Sequence, residues 1–258
     1  MKETRINDLQ NYITQNERAS IDDLCSLFGV SKNTMRRYVN ELEQQGIIKK
    51  VYGGIVLNDK KTTEPFEFRE ERNINSKQII AKLASSFIEE GDIVYIDSGT
   101  TTMHMIPHLS ELRNLTIITN NLNVIINSLP YSNINVICTG GTLFKTTNSF
   151  VNMDAVTLLK KYNISKAFMA STGVSISKGI TNSSSFEYDI KKYMVENCDK
   201  VVVLADNTKL GRVSLTTYCD LKDIQVFVTN LEPDKEFVDF FQNNDIQLVT
   251  PNKPIIND

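Results

Sequence analysis

Apolar positions near the start of the chain recur at helical spacing. Ile6, Leu9 and Ile13 lie three and four residues apart, and Ile21, Leu24, Leu27 and Phe28 repeat the pattern after Ser20, a good N-cap residue. A short turn, Gly29-Val30-Ser31, separates this second helix from a third whose inner face is Met35, Val39 and Leu42. Ser31 is placed to cap the third helix and Gly46 to end it. The stretches Ile47–Val51 and Ile55–Leu57, joined around Gly53-Gly54, predict a two-stranded hairpin.

After the hairpin the texture changes. Residues 58–74 are strongly polar, contain Pro65, and read as a linker with a helical turn near Phe66 and Phe68. Beyond them, short apolar runs predict strands at Ile93–Asp97, Leu115–Thr119, Ile134–Cys138, Lys166–Ala170, Lys200–Ala205, Gln225–Thr229 and Gln247–Val249. Helical patterns lie between them, with Ile79, Ile80, Leu83 and Phe87 on one and Ile190, Tyr193, Met194 and Cys198 on another. Strands alternating with helices imply a mainly parallel sheet covered on both faces. The expected organisation is therefore a small N-terminal winged helix-turn-helix domain over residues 1–57, a linker over 58–74 and an α/β domain over 75–258.

Composition narrows the class. With 258 residues, 41% of them hydrophobic, 23% charged and none Trp, the chain is neither low-complexity nor fibrous. No apolar run approaches the roughly 20 residues of a membrane span, and the polar N-terminus lacks a secretory pattern, so a cytoplasmic protein without a membrane partner is expected. Cys25, Cys138, Cys198 and Cys219 lie far apart with no C-x-x-C pair, which argues against a zinc site or a disulfide framework and predicts buried small apolar residues. His104 and His108 stand four apart, but Pro107 lies between them and no third ligand is evident, so no metal is expected.

Charge is distributed unevenly. The whole chain carries a formal net charge of −3, which argues against nucleic-acid binding by the entire surface. Between Ser31 and Lys50, however, Lys32, Arg36, Arg37, Lys49 and Lys50 stand against only Glu41 and Glu43, a local balance of +3. Two short helices joined by a Gly-containing turn, the second of them basic, form the pattern of a helix-turn-helix. In that geometry Ser31, Lys32, Asn33, Thr34, Arg36 and Arg37 face operator DNA. Arg suits bidentate pairing with guanine, while Ser, Thr, Asn and Lys reach bases or phosphates. The hairpin adds Lys49, Lys50 and Tyr52 as a wing tracking the backbone. Such proteins dimerise so that two recognition helices meet successive half-sites, so a homo-oligomer, a dimer or higher, is expected.

The N-terminal segment resembles the signature of the DeoR family of bacterial transcriptional regulators. The resemblance runs over Val30-Ser31-Lys32-Asn33-Thr34-Met35-Arg36-Arg37-Tyr38-Val39 and from Leu42-Glu43 through Gly46 to Gly53-Gly54. Tyr38 stands where the family usually has Asp, and Tyr52 where it usually has His.

The second domain carries a different chemistry. The strand at Ile93 runs into Asp97-Ser98-Gly99-Thr100-Thr101-Thr102, a small hydroxyl-rich loop expected to lead into a helix. Backbone N–H groups at a helix start attract anions, Gly99 permits close approach, and the Thr hydroxyls donate hydrogen bonds, so the loop reads as a phosphate cradle. It lacks the Walker and G-x-G-x-x-G patterns, so no ATP, dinucleotide or other cofactor is expected. Thr119-Asn120-Asn121, Thr139-Gly140-Gly141 and Ser171-Thr172-Gly173 also follow strands, and in a parallel sheet these carboxyl ends converge on one crevice. Lys209, in Asp206-Asn207-Thr208-Lys209, brings an ammonium to the same edge. The predicted effector-binding set is Asp97, Ser98, Gly99, Thr100, Thr101, Asn120, Gly140, Gly141, Gly173 and Lys209, for a small phosphorylated polyol.

The DeoR resemblance extends through this domain, in Asp97–Thr101, Thr119-Asn120, Gly140-Gly141, Gly179-Ile180-Thr181, Ala205–Lys209 and the linker-like Glu67-Phe68-Arg69-Glu70-Glu71-Arg72. Asn152 and Ala170 replace common family glycines. The resemblance implies a phosphorylated sugar effector and a fold related to ribose-5-phosphate isomerases and coenzyme A transferases. It also implies a repressor of a sugar-metabolism operon. The competing reading is an isomerase-like enzyme with an appended DNA-binding domain. That chemistry needs a general base, and Ala170-Ser171-Thr172-Gly173 has no carboxylate, which leaves only Asp97 and Glu187 to propose; no enzyme activity is expected.

Overall fold

Ser20 accepts a hydrogen bond from the Asp23 backbone N–H at 3.0 Å and so starts helix α1 (Ile21–Phe28). Gly29 ends it in the left-handed conformation at φ 60°, where a side chain would be strained. Helix α2 (Lys32–Gln44) follows, with the Ser31 hydroxyl accepting from the Thr34 N–H at 3.3 Å. Strand β1 (Arg18–Ser20) pairs antiparallel with β3 (Gly54–Leu57), which pairs with β2 (Ile48–Val51). Ile6, Leu9, Ile13, Leu24, Met35, Val39, Leu42, Ile48 and Ile55 form one closed core. The helix-turn-helix and wing are therefore present, and β1 is an element the apolar pattern does not announce.

The computed structural model describes residues 5–253 except 7, 10, 11, 14, 15, 17, 45–47, 52, 53, 58–62, 152 and 153. The expectations for Gly46, Ile47, Tyr52, Gly53 and Asn152 lie outside the described residues.

The chain divides into two compact units, Met1–Glu64 and Pro65–Asp258. Residues from Pro65 on fold with the second unit: helix α3 (Phe66–Glu71) buries Phe66 completely in its core, and α4 (Ile74–Ser85) follows at once. Part of the segment that reads as a linker is thus ordered structure, because Phe66 finds an apolar partner that the surrounding charges conceal.

The second unit is built on seven strands in the spatial order β15-β14-β12-β9-β4-β5-β6, every neighbouring pair parallel. In chain order they are β4 (Ile93–Ile96), β5 (Leu115–Thr119), β6 (Ile134–Cys138), β9 (Lys166–Ala170), β12 (Lys200–Leu204), β14 (Val226–Val228) and β15 (Gln247–Val249). All seven coincide with predicted strands to within a residue at each end. Alternate residues face opposite sides. Val94, Ile96, Phe168, Val202 and Leu204 pack with Ile80, Ala84, Met105 and Ile106 on one face. Tyr95, Ala167, Met169, Val201 and Val203 pack with Ile190, Met194, Phe237 and Phe241 on the other.

Two small sheets decorate this core. Strands β7 (Thr142–Phe144) and β8 (Ser149–Val151) form a hairpin, and β10 (Gly173–Ser175), β11 (Gly179–Asn182) and β13 (Thr216–Cys219) form an antiparallel sheet. The four cysteines are free and half-buried rather than fully buried.

Candidate functional site

In the N-terminal unit, α2 divides its residues cleanly. Met35, Tyr38 and Val39 turn inward, while Lys32, Asn33, Arg36, Arg37 and Asn40 are exposed. Tyr38 is 5% exposed and belongs to the core, and the Arg37 guanidinium lies 5.7 Å from the centre of its ring. Ser31 and Thr34 are occupied with the helix start, their hydroxyl oxygens 3.0 Å apart. Lys32 pairs with Asp22 of α1 at 2.6 Å, both groups largely in solvent. On the hairpin, Lys49 is exposed, whereas Lys50 is ion-paired with Glu43. That ammonium and the Lys50 N–H, which donates to Glu43 at 3.1 Å, hold the Glu43 carboxyl below its usual range. Lys32, Arg36, Asn40 and Lys50 line a groove of about 530 Å³ between α2 and the hairpin. The arrangement presents a basic helix face beside a basic strand, as docking into a DNA groove requires.

In the C-terminal unit the order of the strands places the crevice. The chain leaves β4 toward β5 and β6, then returns to build β9, β12, β14 and β15 on the other side of β4. The reversal lies between β4 and β9, and ligands of open parallel sheets bind outside the carboxyl ends at such a point. Asp97 follows β4 there and is completely buried. Its carboxylate accepts from the Ala170 N–H at 2.9 Å and is ion-paired with Lys191 of helix α7 (Tyr188–Asn197). Burial pushes the Asp97 carboxyl above its usual range, with Lys191 pulling against that and Glu187 adding to it. The Lys191 ammonium also donates to the Ala170 carbonyl at 3.2 Å and lies 5.3 Å from the centre of the Tyr218 ring.

The adjoining loop is held from several sides. Ser98 donates to Glu187 at 2.5 Å, and Asn182 donates to the other oxygen of that carboxylate at 2.9 Å. Thr102 donates to the carbonyls of Asp97 and Gly99 at 2.7 and 3.1 Å, and Asn121 donates to the same two carbonyls at 3.3 and 3.2 Å. A 3-10 helix over Thr102–Leu109 follows the loop, in place of an α-helix. His104 is half-buried and His108 exposed on it, and no metal-binding cluster of His, Cys, Asp and Glu occurs among the described residues.

A Cβ at Gly99 would lie 2.4 Å from the Ala170 Cβ, so packing between loop and strand also requires a glycine there. Gly173 is similar, since its Cβ would meet the Arg212 carbonyl oxygen at 2.5 Å. Gly140 and Gly141 adopt φ of 70° and 108°, which only glycine takes readily, and turn the chain after β6. Asn120 is buried beside the loop, accepting from the Tyr95 hydroxyl at 2.9 Å.

Lys209 lies half-buried at the same edge, within a cluster that sequence reading does not assemble. Lys77 of α4 is 4% exposed and donates to the carbonyls of Arg69 and Glu70 at the end of α3. Burial and the charges of Lys209, Arg69 and Arg72 push its ammonium down to about 8, with Asp206 acting in the opposite direction. Asn73 ties the two segments together, its amide 3.4 Å from the Asp206 carboxylate. Lys191, Asn182 and Lys77 are thus neighbours of the predicted site that the spacing of motifs does not announce, and Glu187, considered there only as a base, holds Ser98 instead.

Comparison with known proteins agrees with this division. Residues 5–61 match the DeoR-like helix-turn-helix domain and residues 72–231 the DeoR C terminal sensor domain. The chain is 42% identical to the HTH-type transcriptional regulator IolR of Bacillus subtilis, over 95% of this chain and 98% of that one. It is 28% identical to the HTH-type transcriptional repressor GlcR of the same organism, over 96% of each. Among solved structures it is similar to ribose 5-phosphate isomerase A from Methanocaldococcus jannaschii, with a TM-score of 0.40 and 19% identity over 54% of this chain and 55% of that one, about half its length. A chain of two such units, matched in order by both domains, belongs to the DeoR family of transcriptional regulators.

Proposed function

We propose that the protein is an operator-binding repressor whose C-terminal unit binds a phosphorylated sugar at the carboxyl edge of the sheet and thereby loses affinity for DNA. The observation that carries this reading is the cationic cluster around Lys77. A buried ammonium depressed to about 8, with Lys209, Arg69 and Arg72 close enough to repel it, is a site that a dianion would relieve. The Thr100 and Thr101 hydroxyls of the loop after β4 are further donors for the anion, and the name of GlcR supports the repressor sign. A ligand shifts the DNA equilibrium only through different affinities for the two conformations, and the coupling is reciprocal. The helix-turn-helix favours a homo-oligomer meeting paired half-sites.

Sensing, rather than turnover, fits the carboxylates. Asp97 is committed to Lys191 and the Ala170 N–H, and Glu187 to Ser98 and Asn182, so each already serves a protein group. Among the described residues, no helix is long and apolar enough to cross a membrane.

The experiment is a pH series of calorimetric titrations with sugar phosphates. Only protonated Lys77 attracts the anion, so affinity should fall as pH rises from 7 to 9, through about 8. Lys77→Met should bind more weakly and lose that dependence, and Lys209→Ala should bind more weakly at every pH. Affinity that is flat in pH, with both variants like wild type, would remove the cluster from the site.

A further inference from the structure

Polar atoms deprived of both water and protein partners are costly, and buried side chains are nearly always hydrogen-bonded. Where several unpartnered ones gather on one edge, they point to a ligand. Among the described residues, His104 Nε2, Asn120 Nδ2, Asn123 Oδ1, Thr139 Oγ1, Ser171 Oγ, Ser184 Oγ and Thr229 Oγ1 are buried without a hydrogen-bond partner. Four of these residues share one position: Asn120, Thr139, Ser171 and Thr229 are each the first residue after a strand, β5, β6, β9 and β14 respectively. Ser184 lies between Asn182 and Glu187, beside the same loop.

The register sharpens the pattern. Ile96 of β4 pairs with Thr119, and Thr119 pairs with Cys138, so Asp97, Asn120 and Thr139 stand in one row across three strands. On β9, the other neighbour of β4, Ile96 pairs with Phe168, so Ser171 lies at the same carboxyl edge two residues further along. Three strands at about 4.8 Å spacing give a row about 10 Å long. The anionic groups beside it are engaged, Asp97 with Lys191 and Glu187 with Ser98 and Asn182, and the cations cluster around Lys77. What Asn120, Thr139, Ser171 and Ser184 present together is one amide donor and three neutral hydroxyls.

Resting on the reading that the crevice takes a sugar phosphate, we infer that Asn120, Thr139, Ser171 and Ser184 read the hydroxyl groups of the effector, selecting a five- or six-carbon polyhydroxylated chain over a three-carbon one. Four unpartnered groups require several ligand hydroxyls, more than a triose phosphate carries. Neutral donors and acceptors match alcohol oxygens and leave recognition of charge to the lysines. Deleting one of these hydroxyls removes nothing that the free protein uses, which separates them from structural residues such as Thr102.

The test is direct titration of ribose 5-phosphate, fructose 6-phosphate, glyceraldehyde 3-phosphate and inorganic phosphate into the full chain and into Thr139→Val, Ser171→Ala and Ser184→Ala, with thermal unfolding of each free protein. The wild type should prefer the five- or six-carbon compound to the three-carbon one. Each variant should bind the preferred compound about two- to tenfold more weakly, the loss of one neutral hydrogen bond, yet melt no lower than wild type and bind inorganic phosphate as before. Thr139→Ser, which keeps the hydroxyl, should keep the affinity. Equal affinity for three- and six-carbon phosphates, undiminished binding by the three variants, or melting points lowered in all of them would overturn the assignment alone. Failure of every compound, inorganic phosphate included, to bind the wild type would overturn the sugar-phosphate reading and this assignment with it.

Discussion

In the N-terminal unit Lys32 pairs with Asp22 at 62% and 72% side-chain exposure, whereas in the C-terminal unit Lys191 pairs with Asp97 at 1% and 0%. The first pair is screened by water and contributes at most about 1 kcal/mol, so separating Lys32 from Asp22 costs little. The second is shut away from solvent, and removing either partner strands a charge in the core. The contrast fits the function proposed for each unit. A polyanion is approached from outside by cations kept mobile in solvent, while a small ligand needs walls that do not move.

The largest expected effect comes from opening the buried pair. Lys191→Met leaves Asp97 uncompensated and should destabilise the C-terminal unit by about 3–5 kcal/mol in urea unfolding. Adding Asp97→Asn should recover most of that loss, because no charge then remains unpaired. If the single variant unfolds like wild type, the two units do not differ in the way described.

A smaller effect, confined to the other unit, is expected from Arg36→Ala. Losing an exposed cation on α2 should weaken operator binding by about 1–3 kcal/mol if it reads a base, and lower the salt slope by about one if it contacts a phosphate. Gel-shift titrations over a series of salt concentrations measure both, and unchanged affinity at every salt concentration would place the DNA interface elsewhere.

The smallest effect sharpens the contrast. Asp22→Asn releases Lys32 without touching the helix face, so operator affinity should rise by about 0.2–1 kcal/mol, with a steeper salt dependence. A loss of affinity instead would mean that Asp22 orients Lys32 for DNA rather than competing for it.

The two units were also unequally legible in the sequence. Everything that makes α2 a recognition element lies within a few residues, so the cap at Ser31, the inward Met35 and Val39 and the outward Arg36 and Arg37 can be read from local spacing. The seven parallel strands are legible for a related reason: strands buried on both faces are short apolar runs, and polar or glycine-containing loops bound them. The grip on the Asp97 loop is different. Lys191 reaches Asp97 across 94 residues and Glu187 reaches Ser98 across 89. In sequence, Glu187 and Lys191 are an i, i+4 pair of the kind usually found on a solvent face. The one hint is that Lys191 stands beside Ile190 and three residues before Met194, on the inward side of α7. Lys77 gives less warning still, since Ser76-Lys77-Gln78 looks like any exposed turn of helix. Strands β10, β11 and β13 are short and rich in small polar residues, and their pairing comes from partners distant in the chain.

The hydrogen bond from the Ala170 N–H to Asp97 joins residues 73 apart, and it stitches together the two halves of the sheet on either side of the β4–β9 boundary. Neither half contains the crevice. A chain still emerging from the ribosome has β4, β5 and β6 well before β9 and α7 arrive, so it holds the cradle without its back wall and without the lysine that neutralises Asp97. On the proposed function, effector recognition waits until β9 and α7 have joined β4. The helix-turn-helix lies within the first 64 residues and is synthesised earlier, so during each round of synthesis the DNA-binding domain precedes the sensor domain.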